Sequence, residues 1–295
     1  MAYTFGNKRD RQGREYIEIT GYSGNAGRLR IPETLAGLPV EGIAASAFRG
    51  RMELVELWLP EHLRALGSYA FYNCKNLKSI HLYDRVEDYC DGVVKQCDSL
   101  REIHLTLTRD DYTVMREILA DNDRQLTFCI EPVGARLTFP AYVYDFVEDV
   151  EARVLHHKIE GSGYPCRECV TRQGVNYKEY DRLFSRVCTD DGRAAARIAL
   201  ERLMYPVLLE EKRRRDYEEY LAENVGELLK VIAGEERLEE LRYLCGSFLL
   251  PKADLQEAVA LAAGKRKSEA VAVLMEYQRR HFLAEDTGAL SLGEW

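Results

Sequence analysis

The sequence predicts an α+β repeat protein: a short solenoid with parallel strands, followed by an all-α helical repeat domain. Three observations carry this reading. An apolar pattern recurs at a period of 23 residues between Ile43 and Leu105. After Pro140 the strand pattern stops and helical spacing takes over. A second internal repeat, offset by 30 residues, occupies roughly the last quarter of the chain. Self-similarity at fixed periods of this size marks stacked repeat architectures.

Each 23-residue unit has the same parts. Phe48 is followed by Leu54, Leu57 and Leu59; Phe71 by Leu77, Ile80 and Leu82; Val94 by Leu100, Ile103 and Leu105. Leu57 and Leu59 are two apart, so in a strand they share one face. Leu54 enters the same core from the turn before, and the Ala-Phe step fills it from the far side of the coil. One coil cannot cover this apolar set, so it must stack on its neighbours. A helical reading fits worse, because Gly50, Gly67 and Asn73 interrupt any long 3.6-residue stripe.

The L-x-x-L-x-L spacing is that of a leucine-rich repeat. Ile19 to Tyr22, Leu29 to Pro32, Gly37 to Val40, the Ala-Phe pairs at 47–48 and 70–71, and Asn73-Cys74 together resemble the BspA-like branch of bacterial leucine-rich repeat proteins. The resemblance runs from about residue 19 to 128. It implies a solenoid fold and a binding role. Two departures show the array decaying by its third coil: Val93-Val94 replaces Ala-Phe, and no proline follows that strand.

Tyr3 to Phe5 and Tyr16 to Ile19 alternate and predict a β-hairpin capping the open end of the solenoid. Gly21, Gly24 and Gly27 make a turn before the strand Leu29 to Ile31; no P-loop Lys-Ser/Thr follows to support a nucleotide site. Gly37 to Val40 forms a turn in an enlarged first coil. Adding 23 to Ile103 and Leu105 places a fourth strand with Leu126 and Phe128 inward, which sets Thr127 beside His104. Between them, Val114, Ile118 and Leu119 share a helix face, with Asp110 or Asp111 as N-cap. Helices are then expected over Tyr142–Lys158 (Phe146, Val150 and Val154 on one face), Asn176–Cys188 and Gly192–Met204. Asn224–Gly234 aligns with Asp254–Gly264, each opening on an N-cap and followed by a second helix, an arrangement with a weak resemblance to ankyrin-type repeats. The expected domains are 1–133 and 134–284, with a loosely ordered tail at 285–295. The helical domain is expected to cap the decayed end and bury Phe128.

Composition limits the function. A net charge of −8 argues against a general nucleic-acid binder. No apolar run approaches the roughly 20 residues of a membrane span, and the N-terminus has no apolar core of a signal peptide. Cys74 and Cys97 occupy one repeat slot, where a small buried thiol packs well, so the eight cysteines read as mainly reduced and the protein as cytoplasmic.

The outward face of the parallel strands is the candidate partner-binding surface. Trp58, His81 and His104 share one slot, Glu56 and Glu102 flank it, and Tyr83 follows one strand step later. Strands about 4.8 Å apart turn such slots into ladders, and Trp and Tyr are favoured interface anchors. The bland alternative is a solvated sheet. His81 and His104 alone, without acids or thiolates, make a poor metal site. Cys166 and Cys169, with His156 and His157 upstream, allow a zinc or thiol-enzyme reading; the alternative is two cysteines on the buried side of a helix. If Pro165 opens that helix, its N-terminus would activate the thiol. Lys212 to Arg215 sits among acids at helical spacing and reads as a solvated face. No catalytic motif stands out, and no cofactor or metal is called for. The function expected is therefore protein recognition by a bacterial adaptor with no chemistry of its own, with an enzyme in the helical half and an exported surface adhesin as alternatives.

Overall fold

The computed structural model describes residues 2–149 and 154–282. The chain forms two compact units. The first runs to Ala194 and includes Val207–Leu209; the second comprises Ala195–Pro206 and continues from Glu210.

The first unit opens with the expected hairpin, β1 (Tyr3–Arg9) against β2 (Glu15–Tyr22). Next come β3 (Arg28–Arg30), β4 (Thr34–Leu35) and β5 (Leu38–Ile43). β4 and β5 turn back at Ala36 and Gly37, both at positive φ, so the bend lies just before Leu38 and Pro39–Val40 belong to a strand. The coils then alternate long and short strands: β6 (Glu56–Trp58), β7 (Ala65–Leu66), β8 (Ser79–Tyr83), β9 (Asp88–Tyr89) and β10 (Glu102–Thr106). Helix α1 (Thr113–Asp121), β11 (Leu126–Glu131) and β12 (Ala135–Phe139) end the array. Two sheets result. One has the order β12-β11-β10-β8-β6-β3; the other has β1-β2-β5-β7-β9, with β4 on β5.

The period has a backbone cause. Ser46, Tyr69 and Gly92 all have φ near +60 to +73°, and so do Gly50, Asn73 and Gln96. Each set recurs every 23 residues, so every coil bends through two left-handed positions. Such positions favour Gly and Asn, which fits the small or polar residues at five of the six. Between coils, Phe48 N–H donates to the Ala70 carbonyl at 2.8 Å and Phe71 N–H to that of Val93 at 2.9 Å. Inside, Tyr22, Phe48 and Phe71 form one column with centroid spacings of 5.9 and 5.2 Å. Val93 and Val94, the departure from Ala-Phe, are equally buried. Cys74 and Cys97 fill one slot as expected, and each thiol donates to the carbonyl of Phe48 or Phe71 at 3.2 Å.

The fourth long strand corrects the sequence reading. Ile103 pairs with Phe128, His104 with Cys129 and Leu105 with Ile130, an offset of 25 rather than 23. The return path here is α1, and a helix covers the distance with a different number of residues than the coil it replaces. Val114, Ile118 and Leu119 are buried as expected. The N-cap is Tyr112, so neither expected aspartate caps the helix; Asp110 is at positive φ, and the Asp111 carboxylate accepts the Thr113 N–H at 2.9 Å from just before the cap. Phe128 is buried against Phe139 of β12, and Phe139 packs on Tyr180.

Downstream, the helix expected over Tyr142–Lys158 is instead a hairpin of β13 (Val143–Asp149) and β14 (Val154–Glu160), with Phe146 paired to His157. Val143, Tyr144, Phe146 and Val147 are β-branched or aromatic, and that composition prevails over an accidental four-residue spacing. Position 150 lies outside the described residues. Then follow α2 (Gly163–Glu168), the short pair β15 (Val170–Thr171) and β16 (Gly174–Val175), α3 (Tyr177–Arg182) and α4 (Phe184–Asp190). The predicted 176–188 helix is thus two, breaking at Leu183. The region after Pro140 is not all-α.

Helix α5 (Gly192–Met204) matches its expected bounds. The second unit continues with α6 (Glu211–Glu235), α7 (Leu238–Ser247), α8 (Lys252–Gly264) and α9 (Ser268–His281). α7 and α9 begin 30 residues apart, with Leu244 and Leu274 buried in matching places. Asn224 is no N-cap: it lies inside α6 and its amide donates to the Tyr220 carbonyl at 2.9 Å. Asp254 is the third residue of α8, whose N-cap is Pro251. No Gly or Pro separates Glu211 from Asn224, so nothing stops the helix there. The basic run is the solvated face expected, with Arg213 on Asp216 and Arg215 on Glu211. The segment 285–295 lies outside the described residues.

Candidate partner-binding face

The outward face of the larger sheet carries the predicted residues. Leu57, Ile80 and Ile103 are buried on its inner side, while Trp58, His81 and His104 stand half-exposed on the other. Parallel register places each directly over the next. The Trp58 and His81 rings stack at 4.8 Å and 10°, and those of His81 and His104 at 4.1 Å and 6°. The Arg30 guanidinium covers the other side of Trp58 at 5.5 Å. The result is one column across four strands: Arg30, Trp58, His81, His104.

The column carries a cation at each end and neutral rings between. Burial, then the neighbouring His104 and Arg30 cations, push His81 down to about 4, so its ring is neutral at physiological pH. His104 is pushed up to about 9 by hydrogen bonding to Cys129 and Glu102, which outweighs its burial. A neutral imidazole thus lies against a cationic one.

The flanking ladders are also in place. Glu56 pairs with Arg28 at 3.2 Å, and Glu102 with Arg136 at 2.7 Å. Tyr83 stands in register with Thr106, and Thr106 with Glu131. Because of the offset of 25, the slot after His104 belongs to Cys129, and Thr127 follows Glu102. Thr127 is buried, its hydroxyl hydrogen-bonded to that of Thr138 at 2.6 Å. His104 therefore has both an acid and a thiol beside it, contrary to the sequence expectation. Among the described residues no group of three or more His, Cys, Asp or Glu is disposed to hold a metal ion. Sequence reasoning missed Arg30, Cys129 and Arg136. Arg30 was recoverable, since it is the middle residue of a recognised strand; Arg136 belongs to an antiparallel strand outside the repeat and gives no periodic signal.

The Cys166–Cys169 segment does something else. Both thiols are free and buried, and burial pushes both up to about 12, so the helix does not activate them. The side chains of His156 and His157 lie outside the described residues. The residue between the cysteines is the working part. Arg167 is buried and donates to the carbonyls of Leu119 at 3.1 Å, Gly163 at 3.0 Å, Asn122 at 3.3 Å, Arg124 at 2.6 Å and Pro140. Its guanidinium also lies 4.7 Å from the Tyr142 ring centre. It gathers the end of α1, the end of β12 and the start of α2.

A second concavity, about 1000 Å³, lies between the β1–β2 tip and the strand-end turns. Its floor is an alternating ladder: Arg64 bridges Glu41 at 3.6 Å and Glu87 at 2.7 Å, and Arg109 joins Glu87 at 2.8 Å. Among the described residues no helix is long and apolar enough to cross a membrane.

Comparison with known proteins follows the repeats. Residues 29–114 match the model of the BspA type leucine rich repeat region. Solved structures with similarity include the T. pallidum leucine rich repeat protein (26% identity over 34% of this chain and 50% of that one, TM-score 0.28). A leucine rich cell surface protein from Faecalibacterium prausnitzii is also 26% identical, over 36% of this chain and 33% of that one, with TM-score 0.28. A leucine-rich repeat protein from Bacteroides ovatus is 21% identical, over 36% and 30%, with TM-score 0.29. The chain thus spans half or less of the length of these three proteins. No curated protein matches it. Leucine-rich repeats generally serve protein–protein recognition.

Proposed function

We propose that this chain is a protein-recognition module that binds a partner protein through the outward face of its larger sheet, acting as an adaptor. The supporting observation is the stacked column of Arg30, Trp58, His81 and His104, bordered by Tyr83, Glu56 and Glu102. Arg, Trp and Tyr are the residues most enriched at interface hot spots. Stacking fixes their rotamers before binding, which removes part of the ordering cost of association. The helix pairs of the second unit offer a further recognition surface. Eight free thiols, several deeply buried, fit a reducing, cytoplasmic setting.

The test is affinity capture from native cells with the wild-type chain and with Trp58→Ala/Tyr83→Ala. A partner recovered by wild type and reduced at least tenfold by the double variant supports the reading, provided circular dichroism shows the variant folded. Equal recovery by both excludes this face.

A further inference from the structure

At the β12 end of the column, four groups of complementary chemistry meet. Cys129 on β11 is in register with His104 of β10 on one side and Arg136 of β12 on the other. Its half-exposed thiol lies within hydrogen-bonding reach of the His104 ring. His104 Nε2 is 3.8 Å from one Glu102 oxygen, and the other accepts from Arg136 at 2.7 Å. A sulfur nucleophile, an imidazolium beside it and a carboxylate near that imidazolium therefore stand on neighbouring strands.

No other thiol among the eight has this setting. Cys74, Cys97, Cys166, Cys169, Cys188 and Cys245 are all pushed up by burial. Cys90 is exposed and serves as the reference thiol.

We propose that Cys129 is a thiol–disulfide exchange site, which takes a small-molecule disulfide and carries half of it as a mixed disulfide on the sheet face. Cys129 gives its proton to solvent, and its sulfur, beside the His104 imidazolium, attacks one sulfur of the incoming disulfide. The new S–S bond forms as the old one breaks, and the electron pair leaves on the second sulfur. That sulfur takes up a proton from solvent and departs as a free thiol. The incoming disulfide is the oxidant, and the step needs no other. Glu102, itself held by Arg136, stands against His104. The groups facing His104 are Glu102 on its own strand, His81 on β8 and Cys129 on β11, and it is a cation up to about pH 9.

The experiment uses the full chain and oxidised glutathione at pH 7, quenched with acid and read by peptide mass spectrometry. Cys129 is expected to be modified about ten times faster than Cys90, with the ratio falling toward one in urea. His104→Gln is expected to slow Cys129 about tenfold and leave Cys90 unchanged. The ratio in the native chain needs no variant, so the proposal stays testable if His104→Gln fails to fold. Modification of Cys129 no faster than Cys90 in the native chain overturns it. So does an unchanged Cys129 rate in a folded His104→Gln chain.

Discussion

Replacing Phe71 with Ala removes the centre of the inner column. Phe71 is 1% exposed and its ring stacks on Phe48 at 5.2 Å. Taking a buried Phe side chain out of its apolar setting costs about 1.5–3 kcal/mol in transfer free energy. The cavity and the lost aromatic pair bring the total to about 3–5 kcal/mol. The backbone around it is bound to the next coil, through Phe71 N–H on the Val93 carbonyl and the Cys97 thiol on the Phe71 carbonyl. The walls are thus poorly able to close in, which favours the upper part of that range. Urea unfolding read by Trp58 fluorescence reports this unit, with Trp295→Phe removing the second tryptophan. For an m-value of about 2 kcal/mol/M the midpoint should fall by roughly 2 M. Tyr83→Ala on the outward face is the control, expected within about 0.5 kcal/mol of wild type. A Phe71→Ala midpoint within roughly 0.3 M of the control would refute the stacked-column account, since a ring against water or in a loose pocket would cost no more.

Two further outcomes follow from polar groups. Arg167→Met is expected to cost about 3 kcal/mol or more in chemical unfolding, because five carbonyls lose their donor at once. Arg167→Lys should recover little of this, as a single ammonium cannot span them; full stability in the Lys variant would contradict the clamp. Asp84 concerns pH. Burial pushes its carboxyl up, but hydrogen bonds from Arg109 N–H, the Thr108 hydroxyl and Thr108 N–H outweigh it and hold it below its ordinary value. The folded value is depressed, so its contribution is complete above about pH 4 and is lost as pH falls through the folded value. Asp84→Asn should therefore destabilise by about 2 kcal/mol at pH 7, with the gap to wild type closing on acidification in urea titrations; a gap that widens in acid would reverse the assignment.

The repeats were readable because one physical demand, an apolar layer that only another layer can cover, repeats at a constant spacing. Phe48, Phe71, Leu57 and Ile80 all fell where that demand put them. The reading failed where the constant was borrowed beyond its cause. Once α1 replaced a coil, 23 no longer applied, and Cys129 was missed for Thr127. The hairpin of β13 and β14 was missed because Phe146 met a helical spacing by coincidence, while its β-branched neighbours were given less weight. Within the candidate face, Trp58, His81 and His104 were visible as a ladder, but their stacking and the different charge of the two imidazoles depend on ring orientation and surroundings, which no spacing conveys. Arg167 was hidden inside a Cys-x-x-Cys pattern whose cysteines drew the attention. Its partners are backbone carbonyls, which are the same in every sequence.

The Arg167 clamp also bears on how the chain is made. Its acceptors at Leu119, Asn122 and Arg124 precede it by 48, 45 and 43 residues. At a synthesis rate of roughly 5–20 residues per second, these carbonyls wait several seconds after leaving the ribosome for their donor. During that interval the far edge of the nascent solenoid has only water, or a stray strand, to satisfy it. A fragment ended at position 133 would hold that exposed edge permanently and would lack β12 as well. Pieces intended for expression should therefore extend past residue 167, and shorter ones should be the first to self-associate.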